Sequence, residues 1–480
     1  MKIPPKVFVC ALEGEPETLD PAAKFYSERA TRVKWLLFDA LLNISGDGRR
    51  LEPGLAEGWT ISEGGLRVEL TLRADVLFHD GTPLDAEAVK ASFERQFAAD
   101  LCDPKKQVLR ELIEEIRTQG QLTLVFKLKY PGFDYLARRY LYKLGVVSPA
   151  ALKRLGTAFA RMPVGTGPFK DPRWTQEQII LSRNAAYWAG IPRANEVHFR
   201  FLPDGSEAVE RLLTGDVDFV PSLSDPDSIQ RVLYDPRVRV QVIPGYNVYY
   251  LGFHWGKRPF DNPSLRRAVA HGVDVPKTAL YGKGAAAAAL GPLPPHMEGY
   301  EAAARQASHD PHLAKSLLRQ AGYEQSPVVL AHFGPASFFR SLALAVERDL
   351  AEIGLTIARR EISTWPEFLS AVQQGESDMF LYSWHMRSED PQGFLRALFH
   401  SSNIGITNLT GYSCPDVDSL LDLAPPHDFL AVQKKILDDT PMLFLAHWTR
   451  VAAYKTRVKN LRLDLGVLPH DKLVGVELLP

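Results

Sequence analysis

Leu66, Val68, Leu70 and Leu72 alternate with Arg67, Glu69, Thr71 and Arg73. This period of two predicts a half-buried strand. The turn "SEGG" before it closes a hairpin whose first strand carries Trp59 and Ile61. Leu122, Leu124, Phe126 and Leu128 repeat the alternation in "QLTLVFKLKY", and a helix is expected near "KKQVLRELIEEI" between them. Residues from about 45 to 160 therefore read as one compact α+β unit. Outside that unit, "KVFVCAL", "EQIILSRN", "EVHFRFLP", "YNVYYLGFHW" and "LTIARREI" read as strands. "DGSEAVERLLTGDVDF" reads as a capped helix, a glycine stop and a short strand. In "DPHLAKSLLRQAGY" Asp310 is placed to cap, Pro311 sits at the first helical position, and Gly322 ends the helix. Leu313, Leu317, Leu318 and Ala321 would form its apolar face. "SLALAVERDLAEIG" stops in the same way at Gly354.

The stretch "LFHDGTPLDAEAVKASFER" (77–95) gathers His79, Asp80, Asp85 and Glu87. Asp80-Gly81 is a turn dipeptide, and Pro83 excludes a helix interior. Asp85 is a good N-cap, Glu87 adds negative charge to the first turn, and Val89, Phe93 and Phe97 share one helix face. The expectation is a turn and a cap, not an acid–base or metal site.

The chain has 480 residues, 45% hydrophobic and 24% charged, with a formal charge of −1. Two or three domains are expected from that length, and no electrostatic footprint for nucleic acid is present. The three cysteines, Cys10, Cys102 and Cys414, form no metal or CxxC spacing, so free thiols are expected. No apolar run approaches the ~18 residues of a membrane span. The N-terminal stretch has no signal-peptide core, so an exported form is expected to have lost its signal. GxSxG, HExxH and GxxxxGK[ST] are absent. "GKGAAA" at Gly282 follows a helical pattern and not a strand, which fails the context of a dinucleotide fingerprint. His309 and His312 flank a helix start and read as solvated. No catalytic residue, metal site or cofactor is expected.

Ten segments in order resemble one family. They include "ETLDP" (17–21), "LFDALL" (37–42), "LEPGLAEGWTISEGGLRVELTLRADVLFHDGTPLDAEAVKASFER" (51–95), "VGTGPFK" (164–170) and "LSRNAAYWAG" (181–190). They continue with "LTGDVDF" (213–219), "YYLGFHWGKRPFDNPSLRRAVAHGVD" (249–274), "GPLPP" (291–295), "SWHMRSEDPQGFLRALFHS" (383–401) and "GYSCPDVDSLL" (411–421). The chain is similar to the peptide- and nickel-type extracytoplasmic solute-binding proteins of ABC transporters, family 5. The resemblance implies a mixed α/β, bilobal, type II periplasmic-binding-protein-like fold of three domains. The lobe I core would be 1–44 plus 164–245 plus 451–480, with an inserted domain at 45–163 and lobe II at 246–450. It implies a monomer outside the cytoplasm that holds a small molecule or peptide in an interlobe cleft. Its partners would be a membrane permease and ATPase subunits, with no nucleic acid. Gly165, Gly167 and Gly245 are read as hinge positions. A cytoplasmic ligand sensor on the same fold is the alternative; an enzyme is disfavoured.

The same resemblance places Phe25, Tyr26, Ser27, Ser222, Tyr249, Tyr250, Phe339, Trp365, Trp384, His385, Met386 and Arg387 at the ligand. Peptide binders of this type commonly carry an Asp where this chain has Arg387. An anionic group on the solute would suit that cation; alternatively Arg387 faces solvent or pairs with Glu389. The pocket is expected to be aromatic and sparsely charged.

Overall fold

A computed structural model describes residues 6–23, 27–46, 50–96, 107–223, 225–324, 326–385, 390–422, 428–463 and 472–479. The chain forms two units. The first comprises Met1–Leu223, Arg231–Gln241 and Ala452–Pro480, and the second Ser224–Gln230 and Val242–Val451. The backbone thus crosses between them at 223/224, 230/231, 241/242 and 451/452. Segments 224–230 and 242–245, assigned to lobe I from the sequence, fall in the second unit.

The principal elements of the first unit are β1 (Val7–Glu13), α1 (Glu28–Leu37), β2 (Ala56–Ser62), β3 (Arg67–Leu72), α2 (Ala86–Gln96), α3 (Gln107–Leu112), β4 (Ile113–Gln119), β5 (Thr123–Leu128), β6 (Phe169–Trp174), β7 (Gln178–Arg183), β8 (Glu196–Leu202), α4 (Gly205–Thr214) and β9 (Phe219–Leu223). Its larger sheet runs β9-β1-β8-β7-β6, with the end of the strand Met442–Lys455 beside β9. β1 is parallel to β8, with Val7 opposite Glu196. Its smaller sheet, β2-β3-β5-β4, is antiparallel. Val68, Leu70 and Leu72 point into a core with Val89, Phe93, Leu124 and Phe126, as the period of two requires. Phe93 meets Phe126 edge to face at 5.5 Å. Phe97 lies outside the described residues.

The helix expected over "KKQVLRELIEEI" ends early. α3 stops at Leu112, and Ile113 opens β4, which pairs with β5 from Ile113 opposite Leu128 to Gln119 opposite Thr123. Its apolar residues at i and i+3 fit a helix locally. The tight turn at Gly120 (φ 67°) and the ladder to β5 prevail over that pattern.

The turn at 78–83 is structural. Asp80 accepts from Thr82 N and Oγ1 and from Ser148 Oγ, and Asp85 caps α2 by accepting from Ala88 N at 2.8 Å. His79 is a clamp. Its backbone N–H donates to Gly165 O at 2.9 Å, its Nδ1 accepts from Gly165 N at 3.3 Å, and its Nε2 donates to Gly167 O at 3.0 Å. Those partners require the neutral Nε2–H tautomer. Desolvation, only partly offset by the bond to Gly167, pushes the imidazole down to about 4.

The hinge reading of Gly165 and Gly167 is corrected here. Both lie inside the first unit, away from every crossing. A Cβ on Gly165 would sit 2.3 Å from Leu37 O, and one on Gly167 2.4 Å from Leu36 O. These glycines are needed for close approach of two backbones, not for freedom of rotation.

A buried ion pair fastens the C-terminal segment to α1. Asp39 accepts from Thr166 Oγ1 and Trp188 Nε1 at 2.9 Å each, from Tyr187 Oη at 3.0 Å, and from the Lys472 ammonium. Lys472 also donates to Phe38 O at 2.8 Å. Both charged residues are under 10% exposed. Asp218, fully buried, accepts from Val9 N and from Arg457 Nε. Cys10 and Cys414 are free and buried; burial pushes the Cys10 thiol well up. Cys102 lies outside the described residues.

Candidate functional site

The second unit carries β10 (Asn247–Phe253), β11 (Ala286–Ala288), α5 (Pro311–Gln320), β12 (Val328–Phe333), α6 (Ser337–Ile353), β13 (Ile357–Ile362), α7 (Trp365–Gln373), β14 (Met379–His385), α8 (Pro391–Phe399) and β15 (Met442–Lys455), which continues into the first unit. Its sheet runs β13-β12-β14-β10-β15, and β11 also pairs with β15. Asp310 caps α5 through His312 N and Leu313 N, as expected. Leu313, assigned to its apolar face, is 39% exposed, while Leu317 and Leu318 are buried. α6 ends at Gly354 in the left-handed region (φ 93°).

The register sorts the candidate residues. Tyr249 is opposite Ser383 and Asn247 opposite His385, so these four side chains share one face of the sheet. Phe338 and Phe339, in the first turn of α6, bring their rings to 5.2 and 5.5 Å from that of Tyr249. The His385 and Trp448 rings lie at 5.7 Å each, and Trp448 meets Phe338 at 4.6 Å. Ser383 Oγ is 3.0 Å from His385 Nε2 and also hydrogen-bonds Tyr249. Burial, only partly offset by the hydrogen bond with Ser383, pushes the Tyr249 phenol up to about 12. Tyr249 and Ser383 are half-buried and His385 is exposed, whereas Phe338, Phe339 and Trp448 are buried. The ring partners of Tyr249 among the described residues are all aromatic.

Tyr250 takes the opposite face, because successive strand residues alternate. It is 1% exposed and packs on Phe380 and Tyr382. Trp365 caps the same layer against Phe333, Phe368 and Tyr382. Trp384, opposite Val248, also falls on this face; its indole N–H is buried and finds no hydrogen-bond partner among the described residues. Ser27 and Ser222 belong to the first unit. Ser27 caps α1 through Ala30 N and donates to Glu17 Oε2 at 2.8 Å. Glu17's own backbone, Ser27 and Arg29 hold the Glu17 carboxyl down to about 2. Ser222 is half-buried in β9. Phe25, Tyr26, Met386 and Arg387 lie outside the described residues. The structure thus brings Tyr249, Phe339 and His385 together and adds Phe338 and Trp448, which the sequence reading missed.

A profile of bacterial extracellular solute-binding proteins, family 5 Middle, matches residues 50–405. The chain belongs to this family. Its members are solute-binding receptors of ABC importers, and this chain is a receptor of that kind. The dipeptide-binding protein of Escherichia coli (strain K12) is 27% identical over 515 residues, covering 98% of this chain and 95% of that one. DppA of Helicobacter pylori, a periplasmic binding protein solved with the peptide STSA, superposes with a TM-score of 0.79 at 25% identity, over 98% of both chains. HbpA2 of Haemophilus parasuis reaches a TM-score of 0.86 at 23% identity, over 99% of this chain and 100% of that one. The fold is accordingly that of type II periplasmic binding proteins. Among the described residues no helix is long and apolar enough to cross a membrane.

Proposed function

We propose that this receptor captures a short peptide or peptide-like solute outside the cytoplasm and hands it, as a monomer and without chemistry of its own, to a permease with ATPase subunits. Residues 45–163 serve as an inserted scaffold domain. The solute-facing wall in the second unit is Tyr249, Phe339 and His385, completed by Phe338 and Trp448. The observation that carries this reading is the aromatic cluster around a half-buried Tyr249 in a chain of the solute-binding family. Rigid aromatic rings give large contact area for little conformational entropy, and a phenol and a hydroxyl at their rim supply polar contacts. The relatives' names support a peptide: the Escherichia coli protein is a dipeptide-binding protein and the Helicobacter pylori structure holds STSA.

The aromatic rings of the wall favour an apolar or aromatic group on the solute. The test is calorimetry on protein stripped of bound solute by unfolding and refolding, comparing the dipeptides Ala-Phe and Ala-Asp. Tighter binding of Ala-Phe by tenfold or more is expected. Failure of di- and tripeptides to bind, with a non-peptide solute found by native mass spectrometry on unstripped protein, would overturn the reading.

A further inference from the structure

Trp448 closes the back of the Tyr249 cluster, and its backbone is held in an unusual way. The antiparallel ladder of β10 on β15 places Tyr249 opposite Ala446. Two residues on, that register would set Asn247 opposite Trp448. No backbone pair forms there. The Asn247 N–H turns back to Gly245 O at 2.9 Å, and Asn247 O accepts from His447 Nδ1 at 2.7 Å. The side-chain amide of Asn247 stands in for the missing peptide. Its Oδ1 accepts from Trp448 N at 2.6 Å and its Nδ2 donates to Trp448 O at 2.7 Å.

The surroundings are built for this pair. Asn247 is 3% exposed and Trp448 6%. A Cβ on Gly245 would lie 2.1 Å from Asn247 Nδ2 and 2.6 Å from Trp448 O, so only glycine leaves room for the amide. A Cβ on Gly282 would stand 3.3 Å from the Trp448 ring and 3.8 Å from that of Phe338. The same two segments leave the second unit a few residues away, at 241/242 and 451/452.

We propose that Asn247 is a positioning residue for solute binding, which fixes the Trp448 indole against Tyr249 and Phe338 by replacing a ladder peptide with its side-chain amide. The proposal rests on the assignment of the Tyr249 cluster to the solute. Removing the amide leaves the Trp448 N–H and C=O without partners on the β10 side, and leaves the ladder to β11 to hold that stretch of β15. The indole then loses its fixed distance to the two rings, and the solute must order it again on binding.

The test compares wild type, Asn247→Ala, Gly245→Ala and Trp448→Phe. Trp448 emission is obtained as the difference between each protein and its Trp448→Phe counterpart. Asn247→Ala, with unchanged circular dichroism, is expected to weaken Ala-Phe binding at least tenfold and to shift Trp448 emission to the red without solute. Gly245→Ala, which crowds the same amide, should move both readouts in the same direction. In wild type the Trp448 amide should exchange with solvent far more slowly than a free peptide. This last measurement needs no variant to fold, and fast exchange would overturn the proposal. If wild type binds Ala-Phe and Asn247→Ala binds it equally with unchanged Trp448 emission, the positioning role falls while the site assignment stands. If wild type does not bind Ala-Phe, the site assignment fails and takes the proposal with it.

Discussion

Asp39→Asn should destabilise the first unit by about 3–5 kcal/mol. The substitution keeps the volume of the side chain and removes its charge. Lys472 is then left as a buried ammonium whose carboxylate partner is gone, and breaking one side of a buried pair costs about that much. The new amide also turns an NH₂ group toward donors it cannot accept from, since Thr166, Tyr187 and Trp188 all donate to Asp39. Lys472→Met alone leaves a carboxylate with three neutral donors and should cost less. The double variant Asp39→Asn/Lys472→Met should recover at least ~1 kcal/mol of the single loss, because no charge remains uncompensated. Urea unfolding at pH 7 gives the three values, and hydrogen exchange over 472–479 locates the change. Burial alone would raise the Asp39 pKa, but Lys472, Trp188 and Thr166 overcome it and hold the carboxyl below its ordinary value. A depressed carboxylate contributes its stability above the unfolded value near ~4 and loses it as the pH falls through the folded value. The gap between wild type and Asp39→Asn should therefore narrow in strong acid. A loss under ~1 kcal/mol at pH 7, or a double variant worse than Asp39→Asn, would refute the reasoning.

Tyr249→Ala should weaken Ala-Phe binding by tenfold or more in calorimetry, whereas Trp365→Ala, on the other face of the sheet, should leave it within about threefold; equal losses would count against the division of the faces. Gly165→Ala should fail to accumulate as soluble protein or unfold at much lower urea, because the added methyl meets fixed backbone at Leu37 O as well as the Phe38 ring; a wild-type melt would sink the close-approach argument. His79→Ala should lower stability by about 1–2 kcal/mol for two lost hydrogen bonds while leaving peptide affinity unchanged. With its folded pKa down at about 4, His79 contributes stability that is complete above ~6.5 and drains away between there and about 4, so wild type and His79→Ala should converge across that window in pH-dependent urea melts.

What the sequence made legible was local. Asp85, Asp310 and Gly354 act at helix ends because capping is decided within a few residues, and the alternation of 66–72 needed only its own pleat to be read. The helix expected through Ile116 failed because the evidence for β4 is its partner β5, and a short apolar pattern cannot choose between the two periods. Gly165 and Gly167 were visible as glycines, but whether a glycine gives rotation or room depends on what stands where its Cβ would be, here Leu36 and Leu37 of α1. Tyr249 and Tyr250 were both placed at the ligand, although neighbours on a strand point to opposite faces; that rule was available in the sequence. Trp448 was not recoverable. Its tie to Asn247 spans 201 residues, and nothing in "FLAHWTR" signals a partner that distant.

The four chain crossings bear on how the molecule is made. The first unit begins at β1 but needs residues 452–455 beside β9, Arg457 against Asp218 and Lys472 against Asp39. A ribosome releases the chain from the N-terminus, and independent domains commonly fold in that order. Here the unit that emerges first is the one finished last. Until residues 457–472 are made, Asp39 and Asp218 lack the cations that pair with them in the folded unit. The first unit thus draws its last contacts from residues 452–479, whereas the segments of the second unit end at Val451.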